Sequence, residues 1–126
     1  MEPLHHHRVL VVEDDIDCRD AVTNLLESEG YAVTSAEDGQ VALDRLREGL
    51  DPCVILLDLM MPVKDGWQFR AEQLRDDALA AVPVIVVSGA GRAMEQAQLL
   101  GLQDYIAKPI PPERLLEMLG RYCAKQ

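Results

Sequence analysis

Val54-Ile55-Leu56-Leu57-Asp58-Leu59-Met60-Met61-Pro62 is the stretch whose reading decides the fold. With Cys53 in front, the run to Leu57 is apolar without interruption. A strand with one face in water alternates apolar and polar residues, whereas a strand covered on both faces does not. Such strands belong to parallel sheets with helices on each side. The run ends abruptly in the acid Asp58. A loop follows through Met61-Pro62-Val63-Lys64-Asp65-Gly66, whose proline and glycine interrupt regular structure.

Working outward, the same pattern recurs on both sides. Val9 to Val12 is a β-branched run ending in Glu13-Asp14-Asp15, and Pro83 to Val87 is a second fully apolar strand ending at Ser88. Tyr31 to Ser35 is a weaker strand, and Tyr105 to Ala107 a short one before Lys108-Pro109. Between them lie amphipathic stretches. From Cys18, residues Ala21, Val22, Leu25 and Leu26 recur at helical spacing until Gly30. Ala42, Leu43 and Leu46 mark a second helix closed by Gly49, and Trp67 to about Asp77 a third with a poor apolar stripe. Ala93, Ala97 and Leu100 mark a fourth, ending at Gly101. Leu115, Leu119 and Tyr122 line a fifth, which Pro111 and Pro112 open. Strands alternating with helices predict an α/β fold with a parallel sheet wound on both faces.

The 126 residues suit one domain, residues 8–126, after an N-terminal lead-in over 1–7 that contains His5, His6 and His7. Those histidines could bind a transition metal, but a partly charged lead-in is the simpler reading. The net charge of -10 argues against a nucleic-acid surface, which needs clustered Lys and Arg. No segment approaches the ~20 apolar residues of a membrane span. Cys18, Cys53 and Cys123 are odd in number, far apart and without a CxxC pair, so they read as reduced thiols of a cytoplasmic protein.

Ligands of doubly wound sheets sit beyond the carboxyl ends of the strands. Those ends carry Glu13 and Asp14, Asp58, Ser88, and Lys108 just past the last strand. Converging carboxylates repel: two unit charges ~4 Å apart interact at ~4 kcal/mol for an effective dielectric near 20. One lysine cannot cancel three of them, while a hard divalent cation with oxygen ligands can. A carboxyl kept protonated is the other way out. A carboxylate can also serve as nucleophile and form an acyl phosphate. Lys108 would then place its charge on one phosphoryl oxygen and the Ser88 hydroxyl would donate to another.

These residues resemble the response-regulator receiver domains of two-component signalling, from about Arg8 to Tyr122. The resemblance rests on Val12-Glu13-Asp14-Asp15, Leu57-Asp58-Leu59-Met60-Met61-Pro62, Asp65-Gly66, Val87-Ser88-Gly89-Ala90 and Ala107-Lys108-Pro109-Ile110. It implies a flavodoxin-like sheet of order 2-1-3-4-5 with five helices. It implies Asp58 as acceptor of a phosphoryl group from a histidine kinase or histidine phosphotransfer domain. Asp58, Asp14, the Met60 carbonyl and, through water, Glu13 would hold Mg²⁺ or, with the same donors, Mn²⁺. Lys108–Pro109 would be cis. Ser88 and Tyr105 would form a switch altering the surface of the fourth helix, fifth strand and fifth helix toward a downstream protein target. Met60 and Ala90, at positions that influence hydrolysis in this family, cannot hold a water by side-chain hydrogen bonds, which implies a long-lived acyl phosphate.

A haloacid-dehalogenase-type phosphatase needs a second Asp where Met60 stands. A flavodoxin-like flavin binder would meet Glu13-Asp14-Asp15 where it needs a phosphate cradle. A degenerate receiver serving only as a protein-binding module remains the principal alternative, against which the complete set Glu13, Asp14, Asp58, Ser88 and Lys108 argues. No output domain occurs within these residues. A stand-alone regulator and a piece of a larger regulator or hybrid kinase are both compatible with the sequence. Homodimerisation is also compatible with it, although Arg114 and Arg121 read more simply as solvated charges.

Overall fold

The computed structural model describes residues 7–89 and 91–123. Five strands, β1 (Arg8–Val12), β2 (Ala32–Ala36), β3 (Val54–Asp58), β4 (Val84–Ser88) and β5 (Tyr105–Ala107), alternate with five helices. These are α1 (Ile16–Ser28), α2 (Gly39–Arg47), α3 (Gly66–Arg75), α4 (Ala93–Leu99) and α5 (Pro112–Tyr122). All pairings are parallel, in the order β2-β1-β3-β4-β5. This is the doubly wound architecture that the alternation predicts, in the flavodoxin-like strand order that the resemblance implies.

The period-two direction of strand side chains divides the core into two layers. Leu10, Val12, Ile55, Leu57, Val84 and Val86 face one side, where α2, α3 and α4 bring Leu43, Leu46, Phe69 and Ala97. Val9, Val11, Val54, Leu56, Ile85 and Val87 face the other, against Val22 and Leu26 of α1 and Leu115, Met118 and Leu119 of α5. Every residue of β3 and β4 is buried.

The starts of α1, α2 and α3 are fixed by acids. Asp15 accepts hydrogen bonds from the Asp17 and Cys18 amides, so α1 begins earlier than the apolar spacing indicates. Asp38 caps α2 on the Val41 amide. Asp65 and Gln68 form a reciprocal capping box on α3. The poor stripe of α3 has a physical cause, because its buried face carries Arg70 and Gln73 beside Phe69. The Gln73 amide donates to the Leu79 and Val82 carbonyls at 3.1 and 3.0 Å, closing the connection into β4. Its oxygen accepts from Arg70 at 2.8 Å.

One expectation is corrected. Cys53 and Cys123 are joined by a disulfide, with Cα atoms 5.2 Å apart, and only Cys18 is free among the described residues. The pairing spans 70 residues and becomes visible once α5 lies across the root of β3. His7, assigned to the lead-in, is buried and meets the Tyr31 ring edge-on at 5.8 Å between centroids. The metal reading of His5 and His6 lies outside the described residues, as does Ala90.

Candidate functional site

The sheet order reverses between β1 and β3, and the crevice beyond such a reversal is where open α/β sheets bind ligands. There β1 delivers Glu13 and Asp14, β3 ends in Asp58, β4 ends in Ser88, and Lys108 follows β5. Together with Met60, Gly89 and Gln96 they line a cleft of about 440 Å³. Glu13, Asp14, Asp58, Met60, Ser88 and Lys108 therefore meet in one place, while Tyr105 is not among the lining residues and packs against the core.

Glu13, Asp14 and Asp58 each offer a carboxylate oxygen within 4.8 Å of the others. The Lys108 ammonium donates to Glu13 Oε1 at 2.8 Å and to Asp58 Oδ2 at 3.3 Å. Asp58 Oδ1 accepts from the Met60 amide at 3.2 Å. Glu13 Oε2 accepts from the Asp15 amide at 3.1 Å, and its main-chain oxygen accepts from Arg19 at 2.8 Å. Glu13 and Asp58 are buried, whereas Asp14 stands exposed at the rim.

The charges are unequal in their comfort. Burial, together with the hydrogen bond and charge of Glu13, pushes Asp58 up to about 6 against the Met60 amide and Lys108. Burial also acts to raise Glu13, but its hydrogen bonds with Lys108 and Asp58 and from the Asp15 amide outweigh this and hold it below its ordinary value. Burial works against the Lys108 ammonium, yet its two acidic partners raise it above its ordinary value. The nearer acid, Glu13, thus takes the lysine, and Asp58 bears the cost of the unmatched negative charge. This donor set is oxygen-only, crowded and short of positive charge, which fits a hard divalent cation such as Mg²⁺.

Local backbone geometry holds Asp58 in place. Gly66 packs so close behind it that a Cβ there would lie 2.7 Å from both the Asp58 carbonyl oxygen and Leu59 Cα. Val63 has φ +66°, and the Lys64 amide donates to the Pro62 carbonyl at 2.7 Å, a γ-turn with a β-branched residue at its centre. The Lys108–Pro109 bond is cis, as the resemblance implies. Ser88 is buried and Tyr105 half-buried.

Two neighbours escaped sequence reasoning. Gln96, from α4, brings a buried side-chain oxygen without a hydrogen-bond partner to the cleft wall. Cys18 lies under the cluster, where burial and the Glu13 carboxylate raise its thiol to about 11, so it stays protonated. Only the position of Gln96 on an amphipathic helix was readable beforehand, and it carries no chemical signature.

Comparison with known proteins agrees with this fold. The sequence profile of the response regulator receiver domain matches residues 9–120, and the chain belongs to that family. Protein PilH of Pseudomonas aeruginosa is 32% identical over 121 residues, covering 93% of this chain and 98% of that protein. The Escherichia coli phosphate regulon transcriptional regulatory protein PhoB is 36% identical over 111 residues. That match covers 86% of this chain but 48% of PhoB, so the chain spans about half of that relative. Among solved structures, a putative response regulator from Chloroflexus aurantiacus superposes with a TM-score of 0.85 at 26% identity, covering 94% of this chain and 98% of the other. The receiver domain of the sensor histidine kinase PA1611 from Pseudomonas aeruginosa superposes with a TM-score of 0.82 at 30% identity, covering 92% and 96%. It has a magnesium ion coordinated in its active-site cleft. No helix among the described residues is long and apolar enough to cross a membrane.

Proposed function

We propose that Asp58 accepts a phosphoryl group from a phosphohistidine of a histidine kinase or histidine phosphotransfer domain, in a reaction dependent on Mg²⁺. The observation that carries this is Lys108 reaching both Glu13 and Asp58 inside a cluster of three carboxylates. Bound Mg²⁺, or Mn²⁺ with the same donors, supplies neutralising charge for the acids and the incoming phosphoryl oxygens. Asp14, Asp58, the Met60 carbonyl and, through water, Glu13 would hold it.

An Asp58 oxygen attacks phosphorus as the bond from phosphorus to the donor nitrogen breaks, and the imidazole leaves with a proton from solvent. Lys108 shifts its ammonium from the carboxylate pair to a phosphoryl oxygen. Ser88, at the end of β4, donates its hydroxyl to another. That movement draws on the loop into α4 and opens space for Tyr105 to turn inward. The surface of α4, β5 and α5 then changes toward a protein target, driven by tighter phosphoryl binding in the altered state. Met60 is 71% exposed and offers no side-chain hydrogen bond to a hydrolytic water, which supports a long-lived acyl phosphate. The domain signals rather than turns over a substrate, works in the cytoplasm, and engages no nucleic acid directly.

Incubation with acetyl phosphate tests the reading, with phosphoryl incorporation followed on a phosphate-affinity gel. One phosphoryl group per chain is expected with Mg²⁺ and none in EDTA. No incorporation under either condition would favour the binding-module alternative.

A further inference from the structure

The root of β3 holds a second chemically reactive feature, remote from the cleft. Cys53 and Cys123 are bonded there, joining the residue just before β3 to the residue that caps the end of α5. We infer that this pair is a reversible thiol–disulfide site that fastens the end of α5 to the sheet under oxidising conditions and releases it under reducing ones.

Three observations support reversibility. Cys123 is 2% exposed among Leu115, Met118 and Leu119, whereas Cys53 is half-buried, so an incoming thiolate reaches the Cys53 sulfur and expels Cys123. Cys53 Sγ lies 3.1 Å from the Arg8 carbonyl oxygen, which gives the reduced thiol an acceptor already in place. The Cys53 amide donates to that same oxygen at 2.8 Å, and the Cys123 amide donates to the Leu119 carbonyl at 2.9 Å. Both sulfurs are therefore positioned by main-chain bonds that do not involve the bridge. The chemistry balances with a small disulfide as oxidant. A Cys53 thiolate attacks it and releases one small thiol, then Cys123 attacks the mixed disulfide and releases the second.

The site is separate from Asp58, which lies five residues along the same strand, ~16 Å away at 3.3 Å per residue. What it controls is the freedom of α5, one side of the surface assigned above to the target. A bridge in a reducing compartment is usually redox-sensing or catalytic. That step rests on the signalling reading, but the thiol measurement below uses no phosphoryl chemistry, so the two readings fail separately.

The test equilibrates the intact protein in glutathione buffers of graded oxidation, traps free thiols by alkylation and maps them by mass spectrometry. Amide exchange is then measured in the two end states. A folded reduced form is expected, Cys53 and Cys123 should titrate together with Cys18 free throughout, and the Leu119–Cys123 amides should exchange on the order of tenfold more slowly when oxidised. Cys123→Ser should carry one glutathione on Cys53. The inference is overturned if the pair stays unbridged at every ratio, pairs with Cys18, gives equal exchange in both states, or unfolds when reduced, since the last would make it a structural staple. Should Cys123→Ser not fold, the wild-type titration decides.

Discussion

Replacing Asp58 by Asn should stabilise the folded protein in the absence of divalent cations. The carboxyl rises from its ordinary value of 3.8 to about 6, so above that pH the fold holds a charge it disfavours. At ~1.4 kcal/mol per pH unit, the cost at pH 8 has a ceiling of ~3 kcal/mol. The cleft is open to water, which reduces it, so the expected gain is ~1–3 kcal/mol. A carboxyl raised in the folded state contributes stability that is fully present below its unfolded value and is lost as pH rises through its folded value. Here the window runs from pH 3.8 to about 6. At pH 4.5 the wild type regains about two-thirds of that cost, and most of the advantage of the amide disappears. Lys108 also pairs with Glu13, at 2.8 Å in the wild type, so the amide leaves no orphaned cation. Urea unfolding in EDTA at pH 8 and pH 4.5 reads the difference. The reasoning fails if Asp58→Asn gives no gain at pH 8, or if the gain is equal at the two pH values.

Other consequences concern the loop that frames Asp58. Val63→Gly should stabilise the fold by ~1 kcal/mol, because φ +66° strains a β-branched residue; its urea midpoint should rise, with an unchanged slope. Gly66→Ala should destabilise by ~1–3 kcal/mol, since its Cβ would meet backbone atoms at 2.7 Å. The same variant should incorporate phosphoryl groups from acetyl phosphate more slowly, as Asp58 is pushed from its place. Gln73→Leu should cost ~1–3 kcal/mol by removing the donor to the Val82 carbonyl and the acceptor for Arg70, measured by thermal unfolding.

Legibility in the sequence followed burial and chemistry. The strands β3 and β4 announce themselves because both faces are covered, which leaves their positions before Asp58 and Ser88 entirely apolar. The cleft was legible because Glu13, Asp14, Asp58, Ser88 and Lys108 all lie at or just past the ends of strands, and a parallel sheet gathers those ends without further information. Gln96 was not, as one glutamine on α4 looks like any other. Nor was the stripe of α3, where Arg70 and Gln73 satisfy each other and so occupy positions that a simple amphipathic rule reserves for apolar side chains. The Cys53–Cys123 link was misread for a different reason. Cysteine spacing says nothing about which residues a fold will bring within 5.2 Å across a separation of 70 positions.

Borohydride trapping after brief exposure to acetyl phosphate and Mg²⁺ tests the central claim most directly, because it reduces an acyl phosphate to the alcohol and marks the carboxylate that carried it. Peptide sequencing by mass spectrometry should find homoserine in place of Asp58, with Glu13 and Asp14 unmodified. Label on another carboxylate, or trapping that proceeds equally in EDTA, would contradict the role given to Asp58 and to the charge gathered around it.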